Sequence, residues 1–170
     1  MTIHTSHPFA NPDPDPARRL RSRIGSGVTL WTAGEGATRA GLTVTSLMVA
    51  LGPRPALLAL LDPDSDLLSE LRDGGRAVVQ LLTWDDRQLA EAFAGTAPAP
   101  GGPFRQAEFV ATPYGPLLAR AATHADVSLV EEREVGWSVE VEVALDSVTV
   151  GDPDGAALLH RRGRFQAVPE

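Results

Sequence analysis

Residues 40–55 read AGLTVTSLMVALGPRP. The stretch is apolar and β-branched, so it reads as a strand, bent if it runs the full length from Ala40 to Leu51. Three hydroxyls, Thr43, Thr45 and Ser46, nevertheless sit close together inside it. Pro53 and Pro55 end the run, because proline cannot donate to a sheet ladder. Just upstream, VTLWTA at 28–33 alternates in period two, and GEGATR at 34–39 supplies a glycine-rich turn. The two strands therefore form a hairpin. Side chains alternate faces along a strand, which places Thr43, Thr45 and Leu47 on one side and Leu42, Val44 and Ser46 on the other. Neighbouring hydroxyls bind neutral or anionic oxygens without adding charge. A phosphate accepts such groups together with backbone N–H groups where a strand ends. Threonine is also simply a good strand residue.

Working outward, ALLALL at 56–61 is short enough for a buried strand. Leu67, Leu68 and Leu71 then fall on one helical face, with Asp64 or Ser65 as the cap and Gly74-Gly75 as the stop. RAVVQLL at 76–82 is a strand. Thr83 and Asp86 have capping-box spacing before a second helix whose apolar face is Leu89, Ala90 and Phe93, ended by Gly95. TAPAPGGPFRQ at 96–106 is a loop, and the remainder is mostly β, at 121–130, 138–150 and 157–165, with a GDPDG turn at 151–155. Val139, Val141 and Val143 make one dry strand face against Ser138, Glu140 and Glu142. The fold class is mainly β with two or more helices. Many short antiparallel strands point to a closed or nearly closed barrel, which removes exposed edges.

The 170 residues fit one domain. Residues 1–22, rich in Pro and Asp from Pro8 to Pro16, read as an irregular N-terminal arm, and 23–170 as the domain. There is no cysteine, and all 15 basic residues are arginine. Disulfides, thiolate chemistry, cysteine metal sites, Schiff bases and the phosphate-loop lysine are thereby excluded. A net charge of −7 argues against nucleic acid as a partner, and the cluster Arg18, Arg19, Arg21, Arg23 reads as a solvated lead-in. No apolar run is long enough to cross a bilayer and the first residues do not form a signal peptide, so the expected location is cytoplasmic, with no membrane partner.

SGVTLWTAG at 26–34 followed by AGLTVTSLMVALGPRPALLALLDPDS at 40–65 resembles the opening of the flavin reductase-like family of FMN-binding split barrels. LLSELRDGGRAVVQLLTWDDRQLAEAFAG at 67–95 is similar to the family's next part, and residues 114–148 and LLHRRGRF at 158–165 to its C-terminal half. The likeness spans about residues 23–166. It implies a homodimeric split β-barrel with a flavin, FMN or FAD, at the dimer interface. Carried over residue by residue, it nominates Thr43, Thr45 and Ser46 for the phosphate and polar edge, with Leu47 near the ring through its backbone. It also nominates Asp62 and Ser65 in the loop after the third strand, Trp137 for stacking and His160 at the edge of the site. The implied activity is flavin reduction by NADH or NADPH, which commonly supplies a monooxygenase. Such chemistry belongs to the cofactors, which agrees with the lack of any triad, paired acids or metal-ligand spacing.

Two departures from the family pattern stand out. The loop LDPDSDLL carries Asp62, Asp64 and Asp66. Each carboxylate about 4 Å from a phosphate charge repels it by roughly 1 to 4 kcal/mol, against about 0.5 to 1.5 for each hydroxyl hydrogen bond. The aspartates then either point elsewhere, with Asp64 and Asp66 serving the helix start, or are offset by Arg54 or Arg161. EVGWSVEV also lacks the histidine that many family members carry there. These departures favour an alternative: a non-catalytic split barrel that binds flavin or haem, or a dimeric interaction module, with a degenerate phosphate site. An oxidase resembling pyridoxamine-phosphate oxidase, or a deazaflavin-dependent reductase, fits the order of motifs less well.

Overall fold

In the computed structural model, which describes residues 15–152 and 155–168, the chain runs α1 (Pro16–Ile24), β1 (Ser26–Gly27), β2 (Thr29–Ala33), β3 (Ala40–Val44), β4 (Leu47–Ala50), β5 (Ala56–Leu61), α2 (Asp66–Gly74), β6 (Arg76–Leu81), α3 (Arg87–Phe93), β7 (Phe109–Thr112), β8 (Gly115–Leu118), β9 (His124–Val135), β10 (Ser138–Thr149), β11 (Ala157–Arg161) and β12 (Arg164–Val168). Seven strands form one antiparallel sheet in the order β3-β2-β6-β9-β10-β5-β4. Its two edge strands, β3 and β4, are consecutive in the chain. The sheet therefore curls into a half-barrel whose seam is the linking pair Thr45–Ser46.

That seam corrects the reading of 40–51 as one strand. β3 pairs with β2, Leu30 opposite Thr43, while β4 pairs with β5, Leu47 opposite Ala59. One straight strand cannot serve partners on opposite sides of a curled sheet, so the ladder breaks between them. Leu60 N–H donates to the Ser46 carbonyl at 3.0 Å and holds the broken end in place. The face alternation expected through Thr43, Thr45 and Leu47 is lost at the same point.

β2 is buried along its whole length. On one side Trp31 and Ala33 join Leu57, Leu61, Val79 and Val127, together with the α2 face Leu67, Leu68 and Leu71. On the other, Leu30 joins Val28, Leu82, Leu158 and the α3 residues Leu89 and Phe93. Polar side chains in this double core are satisfied: Gln80 donates to the Thr32 hydroxyl at 2.9 Å and accepts from Leu118 N–H. Val139, Val141 and Val143 form the dry face as expected. α2 has the anticipated Ser65 cap, with Leu68 N–H donating to its hydroxyl, and Gly75 ends it at φ 68°. The Thr83–Asp86 capping box is present, and Arg120 donates to the same buried Asp86 carboxylate at 2.6 Å.

Three further parts differ from the sequence reading. Residues 16–22, assigned to an irregular arm, belong to α1; residues 1–14 lie outside the described residues. The segment 157–165 is a hairpin, β11–β12, rather than one strand, because Arg162 and Gly163 both take positive φ, at 53° and 73°. Paired positive φ values match the twist of two flanking strands. Finally, β7 and β8 form a separate two-stranded hairpin that packs on β2 and β6.

Candidate functional site at the barrel seam

A groove of about 560 Å³ opens along the seam, within the roughly 300–1,000 Å³ usual for small-molecule sites. Thr45, Ser46, Leu47 and Met48 form one wall as four consecutive residues. Thr45 and Ser46 are free of strict alternation because they lie in the break between β3 and β4, and Leu47 and Met48 open β4 directly after it. Leu58, Ala59 and Leu60 of β5 make an apolar floor. Val135 and Glu140 come from the long β9–β10 hairpin. Glu140 does not present a free negative charge to the groove. Arg133 grips it with two hydrogen bonds, Nε to Oε1 and Nη2 to Oε2, both 2.9 Å.

His160 of β11 reaches the groove because β1 pairs with β11, Ser26 opposite His160. Its ring stacks edge-on with Phe165, centroids 5.5 Å apart. Burial and the nearby Arg21 guanidinium hold its pKa below the usual histidine range, so the imidazole is neutral at neutral pH.

The roof is α1. Asp15 caps it by accepting from Ala17 N–H, and Pro16 opens its first turn. Arg18, Arg21 and Ser22 recur at helical spacing and all face the groove. The helix buries no side chain. Its end is tied to the β11–β12 hairpin through backbone carbonyls: Arg162 N–H donates to Ser22 at 2.7 Å, and Arg161 Nε to Arg23 at 3.2 Å.

A family model described as the flavin reductase like domain matches residues 21–169. The chain is a member of the flavin reductase-like family. This flavin reductase-like chain is 30% identical over 158 residues to an FMN reductase (NADH), RutF 2, of Methylorubrum extorquens, with 89% of this chain and 87% of the relative covered. Its fold matches the NADH:FAD oxidoreductase SgcE6 of Streptomyces globisporus, solved in complex with NAD and FAD fragments, at TM-score 0.80. Identity there is 20%, over 99% of this chain and 97% of that one. The styrene monooxygenase flavin reductase SMOB of Pseudomonas putida gives TM-score 0.78 at 18% identity, covering 92% and 99%.

Within this flavin reductase-like fold the nominated residues divide. Thr45, Ser46, Leu47 and His160 come together in the groove. Thr43 does not line it; its hydroxyl donates to the Ala90 carbonyl at 2.6 Å and fastens β3 to α3. Asp62 and Ser65 do not line it either. Asp62 Oδ1 accepts from Asp64 N–H at 2.9 Å, and the Ser65 hydroxyl donates to the Asp62 carbonyl at 2.8 Å, forming the turn that starts α2. Asp66 instead borders a separate small cleft with Ala37, Arg39 and Glu70. Trp137 sits at the tip of the β9–β10 hairpin, largely exposed and away from the groove lining. The residues that the sequence reading missed are on α1. The signal was present: an Asp-Pro helix start followed by arginines at i and i+3.

Proposed function

We propose that the chain is an NAD(P)H-dependent flavin reductase that binds FMN, or FAD, in the seam groove and works as a pair of identical chains. The observation that carries this reading is the groove itself. Paired hydroxyls, Thr45 and Ser46, stand beside an apolar floor in a chain that the family model matches nearly end to end. The FMN reductase (NADH) relative supports FMN and NADH as the first choices. Asp62, Asp64 and Asp66, the acidic loop that argued for a degenerate phosphate site, do not line the groove.

When bound, the flavin would supply the hydride acceptor for a reduced nicotinamide. The protein's part is to bind and orient. Thr45 and Ser46 donate to flavin oxygens, Leu58 and Leu60 give the ring an apolar bed, and neutral His160 offers a hydrogen bond without adding charge. Among the described residues no cluster of acids and histidines is able to hold a metal. The mouth of the groove supports the dimer. Edge strand β4 exposes Met48 and Val49, followed by Leu51, and such an apolar patch calls for cover. A monooxygenase as recipient of the reduced flavin is proposed from the styrene monooxygenase reductase likeness. Among the described residues no helix is long and apolar enough to cross a membrane.

The test is FMN titration with FMN-dependent NADH oxidation. Wild type is expected to bind FMN and turn over. Thr45→Ala with Ser46→Ala should raise the FMN Kd about tenfold, two hydroxyl bonds at roughly 0.5 to 1.5 kcal/mol each. A wild-type chain that ignores added FMN overturns the reading.

A further inference from the structure

We infer that α1 is a cationic clamp on the groove, with Arg18 and Arg21 binding the phosphate of a phosphorylated flavin, so that the chain selects FMN or FAD over unphosphorylated riboflavin. The inference rests on the flavin reading above and adds residues that reading does not contain. Among the described residues, Arg18 and Arg21 are the only arginines lining the groove, and both come from one helix face. They line the same groove as Thr45 and Ser46, so cations and hydroxyl donors bound the same space. The acidic side chain in the lining, Glu140, is matched by Arg133. Arg21, exposed on its helix, is near enough to His160 for its charge to lower that imidazole's pKa, after burial. Arg54 and Arg161, the arginines that the sequence offered for this role, do not line it.

The way α1 is held fits a clamp. No α1 side chain is buried, and the helix is moored at its C-terminal end through the carbonyls of Ser22 and Arg23. A dianion bridging Arg18, Arg21 and the seam hydroxyls would tie the helix to the barrel through its ligand. Guanidinium–phosphate hydrogen bonds are the strong, charge-assisted kind.

The full-length protein and two double variants decide the matter, titrated with FMN and with riboflavin. Arg18→Ala with Arg21→Ala removes the clamp. Arg19→Ala with Arg23→Ala removes the same two charges from the same helix but from residues outside the groove. The expected result is an FMN Kd raised about tenfold or more in the first variant only, with riboflavin affinity within about twofold of wild type in both. Circular dichroism should be unchanged, since no core side chain is altered. Equal loss of FMN affinity in the two variants would reduce the effect to general attraction and overturn the clamp. Equal loss of FMN and riboflavin in the first variant would overturn it too, because α1 would then act by packing alone. So would wild-type FMN affinity in that variant. If wild type binds neither flavin, the flavin reading itself falls, a result separate from all of these.

Discussion

Thr43 and Thr45 are two residues apart and do different work. Thr43 fastens a helix to a strand, and Thr45 faces the groove. Thr43→Val should lower stability by about 0.5 to 1.5 kcal/mol, or roughly 2–4 °C in Tm per kcal/mol, and leave FMN affinity within twofold. The cost stays small because the Ala90 carbonyl still accepts from Ala94 N–H. A large loss of flavin binding in this variant would return Thr43 to the site. His160 makes a second residue-scale prediction. Its folded pKa lies below the unfolded value near 6.5, first through burial and then through Arg21. The neutral form is the one the fold keeps. The contribution to stability is thus complete above about pH 6.5 and is lost as pH falls toward the folded value. Imidazole NMR titration should give a midpoint below 6.5, moving upward in Arg21→Ala but not all the way, since burial remains. An unmoved midpoint would separate Arg21 from the groove.

At the scale of elements, β3 can approach α3 closely because position 41 is glycine. A Cβ there would sit 2.5 Å from Phe93 Cε1 and 2.8 Å from Cδ1. Phe93 has little freedom to yield, since it packs edge-on against Phe104, centroids 4.9 Å apart, and near Phe109 at 6.0 Å. Gly41→Ala should therefore destabilise by about 1–3 kcal/mol in urea unfolding. Adding Phe93→Leu should cost less than the sum of the two single changes, because the two sites share one space. Strict additivity would show that the contact is not the cause. The helices α2 and α3 were legible in the sequence because their caps and apolar faces are local signals. The β11–β12 hairpin was less so. Its turn is Arg162-Gly163, and nothing in an arginine announces positive φ. α1 carried a local start signal, but its arginines outnumber its apolar Leu20 and Ile24, which stay exposed in the fold, so the segment resembled solvated charge.

For the whole molecule, the proposed pairing of two chains is tested by light scattering on the eluted protein. The expected mass is twice the 18.0 kDa of the chain. Val49→Glu with Leu51→Glu, on the exposed run at the β4 edge, should shift it toward the single-chain value. A wild-type monomer would remove the dimer from the reading. The sequence by itself determined the class of fold, the hairpin β2–β3, the dry face of β10 and the presence of hydroxyls near the end of β3, because periodicity and capping act over a few residues. Tertiary structure alone decided which hydroxyl-bearing residues line the groove. A strand cannot show in its own letters that its two halves pair with strands on opposite sides of a curled sheet. That break sets Thr45 and Ser46 in the groove lining beside the first β4 residues and leaves Thr43 behind. Likewise the chain order of Arg18, His160 and Thr45 gives no hint that β1 pairing with β11 gathers them around one groove.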